Sequence, residues 1–139
     1  MQANSAERRS LASHWHAGGW FGSQLGGTAW LFISALVLGS ASTESAAVLI
    51  GCGLASNLVG CVLWSQRARL DPYRALQALV VVIVLSGVAA TRWLELRGEF
   101  HLLDPRVSPH TMYLLLSVLL LVLLAVFESK RQAAKRAAA

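Results

Sequence analysis

The densest set of ionisable side chains lies in one short segment, 95–108. Within it, Glu99, His101 and Asp104 combine carboxylates with an imidazole, the groups that transfer protons in general acid–base catalysis. The same segment contains arginines, so the carboxylates could equally be held in ion pairs that form a solvated cap. An enzyme that uses these three residues is therefore one hypothesis, and a structural cap is the other.

The cysteines and histidines do not form a recognisable site. Cys52 and Cys61 are separated by about 13 Å along one helix and lie on opposite sides of it, whereas a disulfide needs Cα atoms within about 7 Å. His14 and His16 supply two ligands at most, fewer than a closed zinc site requires. We therefore predict no metal and no cofactor.

Polar groups are scarce inside the apolar parts of the chain. Proton-coupled export of cations needs a carboxylate within a membrane span. Glu44, Glu95 and Glu128 lie at the ends of the apolar runs, so the sequence does not indicate this kind of transport. Asn57 is the one carboxamide well inside the apolar part of a predicted helix, and Gln24 lies in the inner part of the first helix. We predict that they share a polar contact between the first two helices. The alternative is that they line a path for a neutral or weakly charged solute.

Small residues recur at a spacing of four in the first apolar run. They form two rows, which are Gly18, Gly22 and Gly26, and then Gly19, Ser23 and Gly27. Positions four apart share one face of a helix, and small residues allow two helices to approach closely in lipid. We expect this face to pack within the chain. The alternatives are self-association and a bent segment that lines a site.

The second apolar run carries a matching face of small and polar residues. Gly53, Ser56, Asn57 and Gly60 are spaced three, one and three apart, which places them on one side of a helix. We therefore expect the first two helices to form the tightly packed core.

The distribution of charge predicts the elements that position these residues. The chain is 55% hydrophobic and only 14% charged, and no acidic or basic residue occurs in four long runs. A membrane-spanning helix needs about 20 apolar residues. We predict one membrane domain over residues 1–139, an all-α integral membrane four-helix bundle, with a polar N-terminal segment 1–17 and a basic tail 129–139. The predicted helices cover residues 20–40, 45–65, 72–94 and 109–128.

Basic residues predict the orientation of the antiparallel, up-down helices. Nine lysines and arginines fall in the segments on one side of the predicted membrane and three on the other. Because basic residues are enriched in cytoplasmic segments, both termini should be cytoplasmic. This placement also explains the net charge of +5 without a nucleic-acid partner. The abundance of alanine, leucine and arginine favours a bacterial inner membrane.

These observations favour a small non-enzymatic multi-pass membrane protein that acts through helix packing. Its expected partners are the lipid bilayer and either further copies of itself or a larger membrane protein, to which it would be an accessory subunit. A small transporter or channel, and an enzyme at the outer membrane interface, are the alternatives.

Overall fold

The computed structural model describes residues 17–104, 106 and 108–137, without side chains at 126, 127, 130, 131 and 133–137. All regular structure in this part of the chain is helical, which confirms the all-α prediction. The four helices are α1 (Ala17–Leu38), α2 (Thr43–Ser65), α3 (Pro72–Arg97) and α4 (Pro109–Ala137), with a 3-10 turn at Phe100–Leu102. Most of the predicted N-terminal segment, including His14 and His16, lies outside the described residues.

Three of the helices are long and apolar enough to cross a membrane. These are α1, α2 and α3, whereas the apolar part of α4 among the described side chains, Pro109–Ala125, is shorter. An integral membrane protein is the class that such helices indicate, because soluble helices of this length carry a polar face.

Side-chain caps mark the starts of α2, at Thr43, and of α3, at Pro72. The Ser42 side chain accepts a hydrogen bond from the backbone N–H of Ser45 at the start of α2. Asp71 does the same for Arg74, with Pro72 in the first turn of α3. These caps satisfy backbone donors that have no partner within the helix.

The helix ends differ from the predicted ones for local reasons. Helix α1 ends at Leu38, two residues early, because the backbone turns there and Ser42 N–H bonds to Leu38 O. Helix α3 continues to Arg97 and ends at Gly98, whose φ of 67° is the left-handed conformation that glycine adopts without strain. Helix α4 continues to Ala137, because alanine, lysine and arginine are strong helix formers.

The buried apolar residues form three clusters: one at each end of the bundle and a third, the flank, between α3 and α4. At the Trp20 end, Trp20 packs with Ala75 and Leu79 of α3 and with Trp64 of α2. At the Phe100 end, Phe100 packs on residues of α1, α2 and α3, including Leu49. The flank is formed by α4, which packs along α3. Helices α1, α2 and α3 therefore contact one another, and α4 lies beside α3.

Glycines allow large side chains of one helix to rest on the backbone of another. A Cβ atom at Gly60 would lie 2.5 Å from the Gln24 carboxamide, and one at Gly53 would lie 2.7 Å from the Phe32 ring. A Cβ atom at Gly27 would lie 3.0 Å from the Ile83 side chain of α3. The α1–α2 contact is thus made by large residues of α1 over glycines of α2.

We predict that Gly60→Leu lowers the free energy of unfolding by about 1–3 kcal/mol, because the added side chain overlaps the Gln24 carboxamide and overpacks the α1–α2 contact. The measurement is chemical unfolding in mild detergent micelles. Gly51→Leu is the matched control, since Gly51 lies on the same helix and a Cβ atom there would have no described atom within 4 Å. Equal stability of the two variants would contradict the prediction.

Candidate functional site

A polar cluster joins the first two helices inside the apolar core. Gln24 is 2% exposed, and its Nε2 donates to the Asn57 backbone oxygen at 2.8 Å and to Asn57 Oδ1 at 3.1 Å. Asn57 Nδ2 in turn donates to Thr28 Oγ1 at 2.9 Å and to Gly53 O at 2.8 Å. The structure therefore brings Gln24 and Asn57 into direct contact.

This cluster is arranged as a helix contact. The donors of both carboxamides point at protein acceptors on α1 and α2, and the Gln24 side chain covers Gly60. Among the described residues, Gln24 Oε1 is buried without a hydrogen-bond partner. Buried polar groups gain most from such bonds where water is absent, so the cluster fixes α1 against α2.

A second polar contact joins α2 to α3. Ser56 Oγ lies 2.7 Å from Ser86 Oγ and is fully buried. Ser56 also lies 2.9 Å from Cys52 O one turn earlier. Of the face predicted on α2, Gly53, Asn57 and Gly60 therefore meet α1, while Ser56 meets α3.

The glycine row of α1, defined as Gly18, Gly22 and Gly26, does not pack within the described part of the chain. A Cβ atom built at any of the three would have no described atom within 4 Å. The expectation of intrachain packing is wrong for this row, because α1 turns other positions toward its neighbours. In the second row, Gly27 packs under Ile83, whereas Gly19 and Ser23 are exposed and joined by a 2.8 Å bond from Ser23 Oγ to Gly19 O.

An apolar groove opens beside the glycine row, between α1 and α4. It has a volume of about 330 Å³. Its lining comes from three helices: Gly22 and Gly26 of α1, Val80 and Val84 of α3, and Leu119 and Leu123 of α4. Because α4 packs on α3, it stands away from α1 and leaves the glycine row uncovered on this side.

The Phe100 end carries a network of charged and polar side chains. Trp93 Nε1 donates to Ser45 Oγ at 3.1 Å, and Ser45 Oγ donates to a Glu99 carboxylate oxygen. Arg97 bonds Glu44 at 2.7 Å and lies 3.5 Å from Glu99. This network joins the start of α2 to the end of α3, with Phe100 buried immediately after Glu99.

The three residues proposed for acid–base chemistry have separate partners. Glu99 bonds to Ser45, His101 Nδ1 lies 2.8 Å from Gly98 O, and Asp104 Oδ1 accepts from the backbone N–H of Arg106 at 2.8 Å. No group of three potential metal ligands occurs in the part of the chain that the structure describes. One further bond ties α4 to α3 nearby, since the Tyr113 hydroxyl donates to Glu95 Oε2 at 3.1 Å. Arg92, one turn earlier in α3, donates to the same oxygen.

Hydrogen bonding favours the ionised form of Glu99. The bond from Ser45 lowers the pKa of this carboxyl, and Ser42 and Arg97 lower it further, against an opposing effect of partial desolvation. A lowered pKa fits a carboxylate that acts as a fixed hydrogen-bond acceptor at neutral pH.

Sequence reasoning missed the groove and the buried Ser45. The groove depends on how far α4 stands from α1, for which no local pattern exists. The sequence contains a weak indication for Ser45, because this residue follows Glu44 in the first turn of α2. That turn lies on the same side of the predicted membrane as the 95–108 segment. Comparison of the chain with protein-family models, with curated proteins and with solved structures finds no match.

We predict that acid weakens the Phe100 end. Because the folded pKa of Glu99 lies below its unfolded value, its stabilising effect is present above the ordinary glutamate pKa of about 4.3 and is lost as pH falls through the folded value. Melting temperature in detergent, measured from pH 7 down to pH 3, should fall less steeply for Glu99→Gln than for the wild type.

The control for this experiment is Asp104→Asn, whose described bond is to the backbone within its own segment. It should follow the wild-type curve. Parallel curves for Glu99→Gln and the wild type would show that Glu99 has no such role.

Proposed function

We propose that this chain is a four-helix bundle in a bacterial plasma membrane, with both termini in the cytoplasm. The charges support this orientation. The described segments at the Trp20 end carry seven basic and two acidic residues, and those at the Phe100 end carry three basic and four acidic residues. Basic residues are retained on the cytoplasmic side. Helix α4 would cross with its largely apolar segment, whose described part Pro109–Ala125 is at the short end of the range for membrane spans.

Within this membrane, the proposed function is non-enzymatic association with another membrane helix, as a self-associating protein or as an accessory subunit. The observation that carries the proposal is the uncovered glycine row. Gly18, Gly22 and Gly26 present bare backbone along more than two turns, with no described atom near them. In lipid, helix association depends on close van der Waals approach, which such a face provides.

The contacts around Gln24 and Asn57 give less support to solute passage. These carboxamides bond to each other and to neighbouring backbone, and their side chains close the α1–α2 contact. An enzyme at the Phe100 end has similarly little support, because Glu99, His101 and Asp104 each have a separate local partner.

Orientation is tested by thiol labelling in intact cells. In a Cys52→Ala/Cys61→Ala background, Leu102→Cys should react with a membrane-impermeant maleimide, because it is exposed at the Phe100 end. Ala68→Cys, exposed in the segment between α2 and α3, should react only after permeabilisation. The reverse pattern would place the termini outside.

Association is tested with Gly22→Leu/Gly26→Leu. Leucines should fill the space that the partner helix needs, so the association constant in mild detergent should decrease at least tenfold, equivalent to about 1.4 kcal/mol. Recovery of a partner protein should decrease with it. Helicity and melting temperature should be unchanged, because no described atom of this chain lies within 4 Å of a Cβ at either position.

The matched control is Gly51→Leu, the same change at an uncovered glycine of α2. It should associate like the wild type. A wild type that is monomeric and partner-free in bilayer nanodiscs, or equal association of all three proteins, would refute the proposed function.

A further inference from the structure

We propose that the groove between α1 and α4 binds one acyl chain of an anionic phospholipid from the cytoplasmic leaflet, with the phosphate at the basic Trp20 end. This lipid site deepens the proposed function and rests on it in two respects. It takes the orientation of the chain from it, and it assumes that Gly22 and Gly26 also contact a partner helix.

The groove fits an aliphatic chain. Its floor is formed by the branched side chains Val80 and Val84, and Leu119 of α4 faces the bare backbone of Gly22 and Gly26 across it. At about 330 Å³ it lies at the small end of the range for ligand pockets. That space suits a part of one flexible chain, and no large side chain of α1 fills it because the lining on that side is Gly22, Ser23, Gly26 and Gly27.

The groove lies toward the basic end of the molecule. Gly22 is two residues from Trp20, and Val80 follows Leu79, both of which pack at the Trp20 end. Helix α4 continues past the groove through its basic segment to Ala137. Lys130 lies seven residues after Leu123, which is two helical turns and therefore nearly the same face of α4.

Charge selects the lipid class. The described segments at the Trp20 end carry a net excess of basic residues, and the cytoplasmic leaflet is the one that holds anionic headgroups. An acyl chain in the groove would bring its phosphate toward the register of Lys130. A zwitterionic phospholipid has the same acyl chains without the net negative charge. The protein should therefore bind the anionic lipid more tightly because of its headgroup.

The acyl chain and a partner helix would share one wall, formed by Gly22 and Gly26. Both cannot contact that wall at once. Anionic lipid should therefore compete with helix association, and the lipid composition of the membrane should regulate how much of the protein is associated.

The experiment titrates full-length protein in mild detergent with phosphatidylglycerol or with phosphatidylcholine of identical acyl chains. Bound lipid is counted by native mass spectrometry. We expect about one tightly held phosphatidylglycerol, with a preference over phosphatidylcholine of about fivefold or more, the effect of one basic residue near a headgroup. Equal binding of the two lipids would overturn the proposal.

Two matched pairs of variants locate the site. Leu119→Trp should fill the groove and remove the tightly bound lipid, whereas Leu121→Trp, at a position that is 65% exposed and outside the groove, should not. Lys130→Gln should reduce the preference for phosphatidylglycerol, whereas Lys135→Gln, which removes the same charge in a different helical register, should retain it. Wild-type binding by Leu119→Trp, or equal effects within either pair, would overturn the proposal.

If Leu119→Trp fails to fold, the lysine pair decides, because both lysines lie beyond the apolar part of α4. Competition is measured as the associated fraction in nanodiscs, which should fall as phosphatidylglycerol replaces phosphatidylcholine. An unchanged fraction would overturn the regulation while leaving the proposed association intact. Selective lipid binding by a protein that never associates would refute the proposed function and leave the lipid site standing.

Discussion

The close approach of α1 to α2 at Gly60 is the contact on which the rest of the structure depends. The Gln24 carboxamide is buried and reaches both the backbone and the side chain of Asn57 only because nothing projects from Gly60. In an apolar environment an unpaired carboxamide is costly. The bonds of Gln24 therefore fix the separation and the register of the two helices, and Thr28 and Asn57 extend the same contact.

Helix α3 is positioned by a different kind of interaction. It contacts α1 through side-chain packing, as where Ile83 covers Gly27, and it contacts α2 through the Ser56–Ser86 pair. At the Phe100 end, Glu99 accepts a bond from Ser45, which also accepts one from Trp93. The segment after α3 thus acts, through Glu99, as a cap that joins the start of α2 to the end of α3.

The consequence of this arrangement is an asymmetric surface. Glycines that face another helix lie under large side chains, whereas the glycine row of α1 faces outward beside the groove. A helix face without side chains gains nothing from exposure to lipid alone, since lipid packs as well against alanine or leucine. This asymmetry is the reason that the surface beside α1, and neither the buried carboxamides nor the cap, carries the proposed function.

The sequence by itself determined the number and kind of helices, because the spacing of charges and the length of the apolar runs are local properties. It also indicated the contact between Gln24 and Asn57, since two isolated carboxamides in apolar helices joined by a short turn have few other partners. The tertiary structure alone decided which small residues are covered. A spacing of four places Gly22 and Gly26 on one face of α1 but does not specify which neighbour that face meets, because that depends on the rotation of α1 and on the distance between α1 and α4.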